Sequence, residues 1–528
     1  MSSSATTSPP TPTLTEPEGN RPSGPGDAGQ ARPDPPGLAG WMATADHKRV
    51  GKLFIATAFV FLLVGGVLGG ILSAEGVDSG FQVLDDSTFS QVYTLHGEVA
   101  VFGFLVPLFI GIATYIVPLQ VGSTDIAFPR GSATAYWLHL IGGGLLLGAY
   151  VANGGPTGGS ETGVDLYLLA LGLMNVATCI ALVSIVATIV SLRAPGMTLR
   201  RTPLFSWSLL VGGTLTLLAA PVLVARLVVE YVSHHFGEAG VDYGAVRWFW
   251  AVPTLYLLVV PAAGVAAEVV PVVVRRPFLR RDPLLVVLAA IGIFGFGAWA
   301  QFDDTLLQAG MAFAAALAVF VLFSLLGDTV RRGGRSAQAA LLLALGAVTH
   351  LLLGTLAGAV STIEPLDLAG TTWETGQVHL TLFGAGTLGG FAALWYWAPK
   401  IWGVHLGEAA GRIAFGLTFV GGLLLAAPDL VNGLVEDSPR GVESFDSDLA
   451  AALNVVRLVG SIIAVGGVLV VVADLVRRAG RRKGGQASDD PWGGFTLEWA
   501  TSSPPPRQNF TAPVPAVTSP TPQLEAGR

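Results

Sequence analysis

Four of the eight histidines, His96, His139, His350 and His379, fall inside long apolar stretches. An ionisable side chain there costs several kcal/mol and so invites a functional reading. His47 precedes the first stretch, while His234, His235 and His405 fall between stretches. His96 and His379 lie at one depth, each near the same end of a stretch running in the same direction. Two neutral imidazoles so placed on different helices could clamp a haem iron from both faces. With both axial positions filled, such a centre passes electrons and offers no open site. Gly97, Gly384, Gly386 and Gly389 leave room for a flat macrocycle. Hydrogen-bonded packing histidines are the competing reading. It stays open for this pair and is preferred for His139 and His350, which have no partner at their depth. Glu98, Asp125, Glu268 and Asp429 are candidate proton-relay groups. Asp125 and Glu268 sit where a side chain reaches water easily, which favours a structural reading for both. Arg440 and Arg457 either pair with a neighbouring acid or hold a haem propionate. The single cysteine, Cys179, excludes a CxxC metal site and a cysteine-held iron–sulfur cluster.

The elements that must carry these groups are membrane spans. The 528 residues are 52% hydrophobic and only 12% charged, against roughly 25% in soluble domains. Mean hydropathy is +0.61. A span needs about 20 apolar residues, and twelve runs qualify: 53–75, 92–118, 134–152, 164–191, 204–230, 248–274, 284–302, 308–327, 338–361, 374–402, 412–435 and 451–475. Lipid offers backbone amides no partners, so these runs are expected as helices. The fold class is an all-α polytopic membrane protein, a twelve-helix bundle. With a cytoplasmic N-terminus, the inner loops hold 21 Lys and Arg and the outer side 4. The outer loops are acidic instead. That asymmetry predicts both termini on the cytoplasmic side, and the localisation expected is a bacterial plasma membrane. The net charge of −7 argues against a nucleic-acid partner. Residues 1–40, rich in Pro, Ser and Gly, are expected as a disordered tail. Residues 41–477 form the membrane domain. Residues 478–528 are a polar, Pro-rich cytoplasmic tail with one ordered-looking patch at 490–510.

Several strings are distinctive: WMATADHKRVGK at 41–52, PLQVGSTDIAFPR at 118–130, RAPGMT at 193–198, PLFSWS at 203–208 and DPWGGFTLEWATSSPPP at 490–506. This set resembles subunit I of the haem–copper oxidase superfamily, cytochrome c oxidase type, in the same order from about residue 41 to 510. In that family a His–Gly in the second span ligates the low-spin haem, which implies His96. The second ligand lies 21 residues before a Lys closing the tenth span, which implies His379 ahead of Lys400. The resemblance also sets Arg440 beside the haem propionates.

The catalytic half departs from the family pattern. Gln377 stands where the oxygen-binding haem takes its axial His. The copper-binding GHPEVY string reads AVPTLY, with Val252 at the copper ligand and Thr254 at the acid. Tyr256 remains without its His partner. Gln301 and Phe302 replace the paired copper histidines. Val321 stands at the second proton channel's Lys, Ala369–Gly370 at a metal-binding His–Asp step and Ser73 at an Arg that meets a haem formyl group. The Ser73 replacement tilts the cofactor to haem b. The family's metal sites use six intramembrane histidines and only four lie in spans here, so copper is not expected. The resulting expectation is a low-spin, bis-His haem electron carrier of a respiratory complex. Its redox partner would sit on the outer face, whether cytochrome c or a copper subunit. The alternatives are an active terminal oxidase subunit I and a haem-free assembly or scaffold subunit.

Overall fold

The computed structural model describes residues 37–77, 83–155, 158–237, 241–300, 305–436, 438–440, 447–480 and 486–526. Residues up to Thr44 form a small unit of their own, with one short helix, Gly37–Met42. Most of the expected N-terminal tail lies outside the described residues. Positions 37–40 are helical rather than tail.

From Ala45 onward the described residues form helices, with no strand among them. Eleven helices are long and apolar enough to cross a membrane: α1 (His47–Glu75), α2 (Asp86–Gln120), α3 (Pro129–Val151), α4 (Glu161–Ser191), α5 (Leu204–Phe236), then α7 to α12. A further helix, α6 (Tyr243–Val273), carries the buried apolar stretch Leu258–Val273. With it the bundle reaches the expected twelve. The remaining helices are α7 (Asp282–Ala300), α8 (Thr305–Arg332), α9 (Ala339–Val360), α10 (Thr372–Trp402), α11 (Glu408–Val435) and α12 (Asp448–Gly480).

The ends follow ordinary capping chemistry. Asp46, Asp85, Ser160 and Ser447 each accept a backbone N–H of the first turn they precede. Gly403, at φ +72°, ends α10 in the left-handed conformation that costs glycine least. Several helices outrun their apolar cores. α2 begins at Asp86, not near 92. α1 begins at His47. α5 reaches Phe236, so His234 and His235 belong to its last turn and not to a loop. Hydropathy marks the part that prefers lipid, whereas the hydrogen-bond ladder continues into polar sequence.

Sequential helices pack as antiparallel neighbours (α3 with α4, α5 with α6, α7 with α8, α11 with α12), and α12 also meets α1. α2, α6 and α10 lie deep in the bundle. The apolar stretches of α2 and α10 are 94% and 83% buried, against 61% or less in the other nine of the eleven long spans, and the described stretch Leu258–Val273 of α6 is buried throughout. Both α2 and α10 are widened into a π-helical stretch beside their histidine, Val99–Leu105 in α2 and His379–Thr387 in α10. The two stretches pack on each other. Such insertions cluster at functional sites.

Residues 486–526, expected as part of a tail, instead fold against the arginine-rich helix ends. Leu497, Glu498 and Trp499 are buried. Trp492 and Trp499 donate to Tyr396 at 2.9 and 3.0 Å, and Asn509 donates to the Ser123 carbonyl at 2.9 Å. The apolar and amide groups in this Pro-rich stretch bury enough surface to order it. α12 also continues past 477 to Gly480, so the expected domain boundary falls inside a helix.

Candidate functional site

The acid-rich end of the bundle contains a cavity of about 1860 Å³, lined by His96 and His379 together with Arg247, Arg440 and Arg457. Ordinary ligand pockets span about 300–1,000 Å³, so the space is large enough for a bulky group.

His96 Nδ1 lies 3.0 Å from the Gly65 carbonyl. A carbonyl only accepts, so Nδ1 carries the proton and Nε2 keeps a free lone pair. Gly69 makes this ring position possible, because a Cβ there would stand 2.8 Å from His96 Cε1. His379 Nδ1 is 3.2 Å from Asp429 Oδ2. The two atoms approach without the alignment of a hydrogen bond, and both are buried without another partner. Asp429 Oδ1 accepts from Arg457 Nη1 at 3.2 Å. Two imidazoles on the deeply buried helices α2 and α10 thus line one cavity, each with Nδ1 turned to a neighbouring oxygen. That leaves one nitrogen of each free for an iron. A carboxylate behind a ligating imidazole is a common way to orient it and raise its basicity.

Arg440 and Arg457 both turn out to be acid-paired while still lining the cavity. Arg440 Nη1 meets Glu374 Oε2, with Arg247 Nη1 3.9 Å from the same oxygen. Burial lowers the Arg440 guanidinium from its ordinary value. Two arginines against one glutamate leave a net positive edge suited to an anionic substituent.

The other expected groups are dispersed. Glu98 is fully buried and accepts from Tyr150 (3.0 Å) and Tyr167 (2.7 Å). Glu268 does not reach for water. It is buried, accepts the Leu204 and Phe205 N–H groups at the start of α5 and a hydroxyl from Thr496 at 3.1 Å, and so acts as a helix cap. Asp125 lies in the loop after α2 and accepts from the Ile126 N–H at 2.8 Å, with burial raising its carboxyl. His139 packs against Phe54, and His350 lies beside Phe419, Gly384 and Gly422. Neither ring nitrogen of His139 or His350 has a hydrogen-bond partner. Missed in the sequence were Gly65 and Gly69 behind His96, and the partnership of Asp429 with both His379 and Arg457. Two opposite charges inside neighbouring spans were the available signal for that pair.

The family profile "Cytochrome C and Quinol oxidase polypeptide I" matches residues 49–463. A Corynebacterium diphtheriae cytochrome c oxidase subunit 1 is 32% identical, over 96% of this chain and 94% of the relative. A Streptomyces avermitilis sequence, provisionally described as cytochrome c oxidase subunit 1-beta, is 33% identical over 92% of each. This chain belongs to the cytochrome c oxidase subunit I family. A solved haem–copper terminal oxidase dimer has the same fold, with TM-score 0.66 at 16% identity over 82% of this chain and 84% of that one. Membership makes the chain a multi-pass membrane protein of a haem-carrying respiratory family that works beside other subunits.

The positions that the resemblance expects to be replaced are placed as follows. Gln377 lines the same cavity as His379 and lies against Gly358 of α9. Ser73 also lines it and donates to the Gly69 carbonyl at 2.8 Å. Ala369 and Gly370 are at its rim. Val252, Thr254 and Tyr256 fall on α6, with side chains outside the described set, and Gln301 and Phe302 lie outside the described residues. Val321 is partly exposed on α8.

Proposed function

We propose that this subunit I relative is a membrane electron-transfer protein that holds one low-spin haem between His96 and His379 and lacks the haem–copper oxygen-reduction centre. The observation that carries the reading is the pair of imidazoles on one cavity, each with Nδ1 engaged by Gly65 or faced by Asp429. The residues at the second centre's positions supply no comparable donors. Gln377 carries an amide, while Val252 and Phe302 are hydrocarbon and offer copper nothing. A haem held by His96 and His379 would supply one reversible electron and leave no ligand position for oxygen. Gly65 and Asp429 fix the two ring orientations. Arg440, with Arg247, gives the cavity edge its positive charge. Ser73 in place of a formyl-binding Arg favours haem b.

The arginine-rich end faces the cytoplasm in this reading, by the loop-charge asymmetry. The histidine cavity then lies near the outer face, and a partner subunit or cytochrome c exchanges electrons there. Haem and metal analysis of the purified chain tests the proposal. A low-spin b-type spectrum insensitive to carbon monoxide, without copper, is expected. Stoichiometric copper with a carbon-monoxide-sensitive haem and oxygen uptake overturns it in favour of a working oxidase. A protein without haem overturns it in favour of a scaffold subunit.

A further inference from the structure

At the acid-rich ends of α4 and α5, outside the lining of the histidine cavity, a second cluster of ligand-type side chains comes together. Asp165 lies in the second turn of α4, and His234 and His235 in the last turn of α5. One ligand atom from each lies within 4.8 Å of the other two. We propose that Asp165, His234 and His235 bind a borderline transition-metal dication of the Zn²⁺ class.

Two imidazoles and a carboxylate are the donors such an ion takes, leaving a fourth position open. His235 Nε2 is 2.8 Å from Asp165 Oδ1. Bonds of about 2.0–2.1 Å in a tetrahedral shell put neighbouring donor atoms roughly 3.3 Å apart. This edge of the site is therefore already near its bound length. His235 Nδ1 faces Glu161 Oε1 at 3.6 Å. That is the carboxylate-behind-imidazole arrangement that supports metal-bound histidines elsewhere. His234 Nε2 is shut away from solvent without a hydrogen-bond partner, and a metal ion would answer it. The Tyr231 ring, 4.6 Å from that of His235, holds the ligand in place.

The local charge balance points the same way. Arg226 is committed to Glu230 and Asp242 one turn away. Asp165 and Glu161, by contrast, are paired with His235. With neutral imidazoles the pocket carries two negative charges, which a dication cancels. α4 and α5 are joined at their opposite ends, through residues 192–203. A metal here would clamp the free ends of the two spans.

The test uses the full chain in detergent, purified without a polyhistidine tag and dialysed against Zn²⁺ at rising concentration. One zinc retained per chain is expected. It should be lost in the double variant His234→Ala/His235→Ala and bound about tenfold more weakly in Glu161→Gln, with the haem spectrum unchanged in both. Equal zinc retention by wild type and double variant overturns the site, as does a wild type that retains none. Should the double variant fail to fold, X-ray absorption at the zinc edge of the unmutated protein decides. A shell with two imidazoles supports the site, and a shell of water or sulfur overturns it.

Discussion

Lys400 and Asp429 are both fully buried charges, yet they sit at opposite ends of the bundle and are treated differently. The Lys400 ammonium, at the arginine-rich end, donates to the carbonyls of Asp489, Thr501 and Ser502, all supplied by the folded C-terminal segment. Nearby Glu268 is answered by two N–H groups and a hydroxyl, and Asp474 by the Gly407 N–H at 2.7 Å and Arg478 at 2.9 Å. At the acid-rich end, Asp429 satisfies one oxygen with Arg457 and leaves the other unpartnered. His379 Nδ1, Arg457 Nε, Asn432 Oδ1 and Ser438 Oγ are buried without hydrogen bonds as well. Buried polar groups are nearly always satisfied. At one end the chain answers its buried Lys400, Glu268 and Asp474 from its own residues. At the other it arranges donors, acceptors and charges around a cavity and leaves part of their capacity open.

Four measurements probe that contrast, in order of decreasing effect. His96→Ala or His379→Ala should remove the low-spin haem spectrum altogether, because a single remaining imidazole cannot hold the iron from both faces. Haem content per chain reads this, and an unchanged spectrum would assign the cavity to something else. Lys400→Met should cost about 3 kcal/mol, since it strands carbonyl acceptors worth roughly 1–3 kcal/mol each. The unfolding midpoint in detergent should fall while haem per folded chain stays the same. Loss of haem at full stability would mean that the two ends are not independent.

Asp429→Asn is expected to keep the spectrum but raise the haem midpoint potential by on the order of 60 mV, tenfold for one electron. It removes negative charge behind His379 and so disfavours the oxidised iron. Potentiometric titration detects this, and an unmoved potential would leave Asp429 a packing role only. The smallest effect concerns Glu498, a buried carboxylate at the arginine-rich end that is only half satisfied. Its Oε1 accepts from Gln120 and Trp397 while Oε2 has no partner, and burial raises its carboxyl above the ordinary range. A raised acid favours the folded state below its unfolded value of about 4.3 and loses that contribution as pH climbs through the raised one. Glu498→Gln keeps the Oε1 acceptor without the charge. The decline in stability with rising pH should therefore flatten, and a parallel pH profile would contradict the assignment.

The lipid-buried core of every span, the charge asymmetry of the loops and the common depth of His96 and His379 were legible in the residues. Each follows from local composition, since about 20 apolar residues cross a bilayer and direction alternates with every crossing. The ends of α1, α2 and α5 were not legible, because polar residues continue a helix once it has left lipid. Nor was the folding of 486–526, whose tryptophans and Asn509 find partners hundreds of residues away.

What the amino-acid order carries unaided is how many apolar stretches the chain has, which loops collect the basic residues and which imidazoles fall inside those stretches. Those are sums over neighbours in sequence. Which side chains face each other across helices depends on how far each helix is turned about its axis, a quantity no local pattern contains. That rotation, with the π stretches that adjust it in α2 and α10, puts Asp429 behind His379 and Gly69 under His96. The length of α5 beyond its apolar core carries His235 to Asp165. Packing of the whole bundle sets these contacts, because each helix takes the angle at which all its neighbours fit.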